Sequence, residues 1–152
     1  LHHFDDFLRT VEDAQKAGFD NISIDLMYGI PHQTVESFGE SLSAILELCP
    51  EHVSAYGLKI EEGTPFWHCR ESLPLPDEDA ECEMYRLLGQ TLARAGYEKY
   101  EISNFAKKGY ASRHNLKYWH GEEYIGFGVA AQKVTATELY KRDIEKYNHT
   151  TK

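Results

Sequence analysis

The chain has 152 residues, 41% of them hydrophobic, and a formal net charge of −9. That length and apolar content suit one folded domain and exclude a disordered chain. The negative balance, with no Lys/Arg-rich run, excludes a charge-driven grip on a nucleic-acid backbone.

Phe4, Phe7, Leu8 and Val11 fall at helical spacing, and Gly18 supplies a stop. The run "NISIDLMYG", Asn21 to Gly29, then reads as a strand entering a Gly-Pro loop. A second helix starts at the cap Thr34 and places Val35, Phe38, Leu42, Ile45 and Leu46 on one face. "HVSAYGLKI" follows as the second strand. The clearest helix lies within "PLPDEDAECEMYRLLGQTLARAGY". Acidic residues suit its start, Ala80, Met84, Leu87, Leu88 and Leu92 form its stripe, and Gly96 ends it. "YEKYEI" reads as a third strand, "YIGFG" as a fourth, and Glu138 to Tyr147 as a last helix.

Strands alternating with helices through short joints predict βα units and a parallel sheet. Three or four strands make only half a barrel and leave open edges. The chain starts with Leu rather than Met, already in helical pattern. The expectation is therefore an α/β fold, the C-terminal half of a partial (β/α) TIM-like barrel, and an internal piece of a longer protein.

Asp25 is the unusual residue of the first strand, because a carboxylate inside an apolar run is costly unless something pairs with it. Alternation puts Ser23, Asp25 and Met27 on one face and Ile22, Ile24 and Leu26 on the other. If the aliphatic row meets the helices, Asp25 faces the lumen near the rim, where α/β barrels carry their reactive groups. There it could accept hydrogen bonds from ligand hydroxyls, as an acidic residue does for a ribose in dinucleotide sites. It could equally tie down the Gly29–Pro31 loop. The other strand ends bring Tyr56, Gly57 and Lys59, and then Glu101, Ser103, Asn104 and Phe105.

"RHNLKYWHGEEYIGFG", Arg113 to Gly128, gathers two histidines, an amide and several aromatics. It could cradle a planar ligand or simply plug the barrel. His114 and His120 are six apart, off the i, i+4 spacing of helical chelation. His2 and His3 read as solvated. "GFG" lacks the third glycine and the Lys-Ser/Thr of nucleotide loops, and no G-x-S-x-G elbow exists. Cys49, Cys69 and Cys82 lie 20 and 13 residues apart, which is neither a disulfide framework nor a metal motif. Free thiols in a reducing cytosol are the simple reading, and no apolar span reaches membrane length.

Taken together, "IDLMYGIPHQT", "HVSAYGLKIEEGTP", "LPLPDED", "MYRLLGQTLARAGYEKYEISNFAKKG" and "RHNLKYWHGEEYIGFG" resemble the radical SAM family of oxygen-independent coproporphyrinogen III oxidase-like proteins. "YEISNFA" and "HNLKYW" are most similar to its heme-chaperone branch, the HemW group. The resemblance covers about residues 1 to 130.

It implies a cytoplasmic protein of heme metabolism with a partial barrel, S-adenosylmethionine at the strand ends and a [4Fe–4S] cluster on a CxxxCxxC loop. That loop is absent here, so the parent's cluster ligands are not in this chain, and the chain alone is expected to be inactive. By matching motifs, Asp25, Lys59 and Gln132 line the S-adenosylmethionine site, and His114, Asn115, Tyr118 and Trp119 lie on a heme or porphyrin side. The implied organisation is a barrel part over 1–132 and a divergent helical tail over 133–152. The implied partners are the small-molecule cofactor, heme or porphyrin, and a missing N-terminal half-barrel, with no nucleic acid and no membrane span. Two other readings remain: a fragment of a true oxygen-independent coproporphyrinogen III oxidase, and a non-catalytic α/β ligand-binding module.

Overall fold

A computed structural model describes residues 3–127 and the backbone of 133–134, and the chain divides into two compact units, Leu1–Ala111 and Ser112–Lys152. The expected helix over Glu138 to Tyr147, and Gln132, lie outside the described residues.

The first unit opens with α1 (Phe4–Lys16) and β1 (Ser23–Tyr28), followed by α2 (Val35–Glu47) and β2 (His52–Gly57). After these come a single-turn α3 (Pro65–Cys69), a 3-10 turn at Arg70–Ser72, the long α4 (Glu78–Arg94), β3 (Glu98–Lys99) and β4 (Asn104–Ala106). Side-chain oxygens start the helices by accepting orphan backbone N–H groups. Thr34 accepts from Ser37 and Asp77 from Ala80. The short α3 has its own cap in Thr64 with Pro65 behind it, a Thr-Pro start that fits a first helical turn.

One sheet runs in the order β1-β2-β4-β3. β1 and β2 are parallel, while β4 is antiparallel to both β2 and β3. The expected third parallel strand is thus replaced by a short hairpin. Its cause is local. The Glu101 carboxylate accepts from the Ser103 backbone N–H at 2.8 Å and from the Asn104 amide, a side-chain bond of the kind that reverses a chain. The Ala55 N–H donates to the Ser103 carbonyl at 2.7 Å, so this turn reaches the end of the sheet where β1 and β2 finish.

The core lies on one face only. Ile24 and Leu26 of β1, Val53 and Ala55 of β2, and Phe105 of β4 meet Phe38, Leu42 and Ile45 of α2 and Met84, Leu88 and Leu92 of α4. Val11 of α1 and Tyr97 complete the cluster. Tyr97 is anchored by its O–H, which donates to the Pro50 carbonyl. Burial, with the nearby Cys49 and Glu51, pushes its phenol up to about 12. Near the start of β1 and β2, Glu51 accepts from the Ile22 N–H at 3.0 Å, and Ile22 in turn accepts from the Glu51 and His52 backbone. Lys107 closes this knot by donating to Glu51 at 3.3 Å and to the Cys49 carbonyl at 2.7 Å.

The second unit begins with α5 (Arg113–Trp119), capped by Ser112, then β5 (Tyr124–Ile125) paired antiparallel with β6 (Lys133–Val134). The expected fourth strand is therefore two residues long and belongs to its own two-stranded sheet. Among the described residues no helix is long and apolar enough to cross a membrane.

Candidate functional site

Because alternate residues of a strand face opposite ways, burying Ile24, Leu26, Val53, Ala55 and Phe105 commits their neighbours to the other face. Ser23 stands opposite His52, Asp25 opposite Ser54, and Met27 opposite Tyr56. Asn104 joins this face opposite Ser54. The helix-free side of the sheet is therefore polar at its centre. Toward the strand ends it carries two exposed apolar side chains, Met27 and Tyr56.

Asp25 sits on this face and is exposed. The expectation of a carboxylate within a buried run is corrected here, because only the alternate residues Ile24 and Leu26 are buried. Asp25 makes no hydrogen bond or ion pair among the described residues. Nor does it hold the loop after β1. That loop turns at Gly29 (φ 74°) and His32 (φ 65°). Gln33 holds it by accepting from the Ile30 N–H at 3.4 Å, and the His32 N–H donates to the Pro74 carbonyl at 2.8 Å.

Beside Asp25 lies His52, only 5% exposed. Its Nδ1 is 2.8 Å from the Ser23 hydroxyl and its Nε2 is 2.7 Å from the Tyr100 hydroxyl. Burial lowers the His52 pKa below the ordinary 6.5, and the carboxylates of Asp25 and Glu101 partly oppose that. Asn104 is also buried, with its Oδ1 lacking a donor among the described residues. Beyond β2, Lys59 pairs with Glu61 at 2.8 Å in the open, and that bond raises the Lys59 pKa.

In the second unit the predicted planar-ligand segment forms α5. The His114 Nε2 and the Tyr118 hydroxyl are 3.0 Å apart, with the rings edge to face, and Tyr118 meets Tyr124 in the same way at 4.8 Å. His114, Lys117, Tyr118, Glu123, Tyr124 and Ile125 line a cavity of about 650 Å³. Trp119 is 55% exposed, and Asn115 occupies the third position of the helix, its N–H donating to Ser112.

The described residues contain no group of three or more His, Cys, Asp or Glu able to hold a metal ion, and all three cysteines are free and exposed. Sequence reasoning passed over His52 and Tyr100. The signal for His52 was present: His52, Ser54 and Tyr56 alternate with Val53 and Ala55 just as Ser23, Asp25 and Met27 alternate with Ile24 and Leu26.

This mixed α/β arrangement, with the helical core on one face and polar groups on the other, is a segment of the radical SAM fold. In structure, 88% of the chain superposes on 34% of Escherichia coli coproporphyrinogen III oxidase HemN, a radical SAM enzyme, with a TM-score of 0.67 at 22% identity. By sequence, 86% of the chain is 42% identical to the heme chaperone HemW of Bacillus subtilis, and 89% is 40% identical to that of Escherichia coli. Mouse radical S-adenosyl methionine domain-containing protein 1, mitochondrial, is 39% identical over 86% of the chain. No family model matches. The chain belongs to the HemW-like group of radical SAM proteins, and it spans about a third of the length of the curated relatives it matches (35%, 35% and 30%).

Proposed function

We propose that this chain supplies part of the S-adenosylmethionine site of a HemW-like protein of heme metabolism, with Asp25 as an acceptor for the ligand's hydroxyls. One observation carries the reading: Asp25 is an exposed carboxylate with no hydrogen-bond or ion-pair partner among the described residues, on the sheet face opposite the helical core. The loop beside it is held by other groups, so tying the loop does not account for the aspartate. A sulfonium nucleotide, cationic and rich in hydroxyl donors, suits a face whose charged groups are the carboxylates of Asp25 and Glu101. By the family resemblance, Lys59 and Gln132 are further candidates for the same ligand; Gln132 lies outside the described residues. When bound, S-adenosylmethionine supplies a reducible carbon–sulfur bond, while the protein's share is to bind and orient it.

The residues here do not fit an iron–sulfur cluster, since no cysteine set is present. Its ligands belong to the other part of a parent barrel. The cavity beside α5 is the heme or porphyrin side of the same reading, with His114 and Tyr118 on its wall. Residues 1–132 are the barrel part and 133–152 a divergent tail. Three exposed free thiols favour a reducing, cytoplasmic setting.

The test is S-adenosylmethionine binding to the gene product carrying this sequence, measured by isothermal titration calorimetry. A hydrogen bond to a charged group contributes about 1.5–3 kcal/mol, so Asp25→Asn is expected to weaken binding roughly ten- to hundredfold with the fold unchanged. Equal affinity in wild type and variant would remove Asp25 from the site.

A further inference from the structure

Two carboxylates lie near enough to the buried His52 to act on its charge, Asp25, two residues along β1 from the His52 register partner Ser23, and Glu101, and they differ in what they already hold. Glu101, in the turn between β3 and β4, is committed to the Ser103 N–H and the Asn104 amide. Asp25 of β1 is committed to nothing among the described residues. Among the described residues, the hydroxyls of Ser23 and Tyr100 bond the imidazole, and its register partner on β4, Ala106, carries no charge.

A neutral imidazole has one N–H donor and one acceptor nitrogen, and a hydroxyl can serve either, so Ser23 and Tyr100 satisfy both ring nitrogens without any charge. An imidazolium in the same place would be a buried cation, and the uncommitted carboxylate beside it would be its natural counter-ion. A charged His52 would therefore compete with any ligand for Asp25.

We propose that His52 is a positioning residue: held neutral between Ser23 and Tyr100, it keeps the Asp25 carboxylate free to accept from the ligand. The inference rests on the reading of Asp25 given above. It makes the Ser23–His52–Tyr100 chain part of the binding machinery, acting through Asp25. The coupling is reciprocal. A cationic ligand at Asp25 disfavours protonation of His52, and protonation of His52 disfavours the ligand.

Nuclear magnetic resonance of the His52 ring nitrogens, in the gene product carrying this sequence, tests the idea without any change to His52. The expected result is a neutral ring at pH 7 with a midpoint below 6.5. Asp25→Asn should lower that midpoint further, because it removes a charge that favours the imidazolium. Added S-adenosylmethionine should lower it in the wild type as well. Calorimetry should show wild-type affinity falling as pH drops through the midpoint, by about tenfold for each unit that the ligand moves it. His52→Gln, which cannot charge, should flatten that profile.

A charged ring at pH 7 would overturn the proposal. So would a midpoint indifferent to Asp25→Asn, or a His52→Gln profile that matches wild type. If Asp25→Asn loses the ligand while the His52 midpoint stays put, only this inference fails. If Asp25→Asn binds normally, the reading of Asp25 fails first and the role proposed for His52 falls with it.

Discussion

Glu51→Gln is the perturbation that most directly tests how the sheet sets the candidate site. The Glu51 side chain is 19% exposed and takes the Ile22 N–H at 3.0 Å and the Lys107 ammonium at 3.3 Å. These contacts clamp the start of β1 against β2, and the register they fix puts Ser23 opposite His52 and Asp25 opposite Ser54. A slip of one residue would send Asp25 into the core. Burial pushes the Glu51 carboxyl up, but the Ile22 N–H and Lys107 outweigh it, so its pKa lies below the ordinary carboxylate value. A depressed folded-state pKa means stability that is present above the unfolded pKa, near 4.3, and lost as pH falls through the folded one. Gln keeps one acceptor oxygen and loses the charge, so the expected cost is about 1–2 kcal/mol at pH 7. With a urea slope of roughly 1–3 kcal/mol per molar, the unfolding midpoint should drop by about 0.3–2 M. Circular dichroism in urea at pH 7 and again at pH 3 reads both parts. The gap between variant and wild type should narrow at the lower pH, because the stabilisation from a depressed carboxylate is lost as pH falls through its folded pKa. An unchanged midpoint at pH 7, or a gap of the same size at both pH values, would refute the reasoning.

Two further outcomes follow from the same geometry. Lys59→Ala should leave stability within about 0.5 kcal/mol, because its partner among the described residues is the exposed Glu61 and exposed pairs contribute little; a loss of S-adenosylmethionine affinity in that variant is therefore a direct ligand effect. In a heme titration followed by visible absorption, His114→Ala should weaken heme uptake if the α5 cavity receives the porphyrin, whereas His120→Ala, whose ring lies outside that cavity lining, should not.

The helices were readable because their signals are local. Thr34 before Val35 and Phe38, and Asp77 before the stripe of Met84, Leu88 and Leu92, mark a cap and a buried face at fixed spacing. The two faces of β1 were readable for the same reason, since alternation needs no knowledge of the partner strand. The hairpin was not. "YEKYEISNF" has enough β-formers to read as one strand, and what breaks it is the Glu101 carboxylate folding back onto Ser103 and Asn104, a choice made by side-chain geometry in the folded chain. The helix α5 escaped for another reason: it buries no residue, so it has no apolar periodicity to detect, and only the Ser112 cap announced it.

The misjudged burial of Asp25 has a physical lesson. "NISIDLMYG" looks like a strand buried on both faces, as strands of parallel barrels are. Here helices cover one face alone, and the residues left on the other are serines, a histidine, an asparagine and an aspartate rather than more Val and Ile. A sequence under pressure only to fold would have little reason to line that face with groups that need partners. His52 and Glu101 find theirs within the chain, and Asp25 has no hydrogen-bond or ion-pair partner among the described residues. That difference, rather than any depth of burial, is what the proposed role of Asp25 rests on.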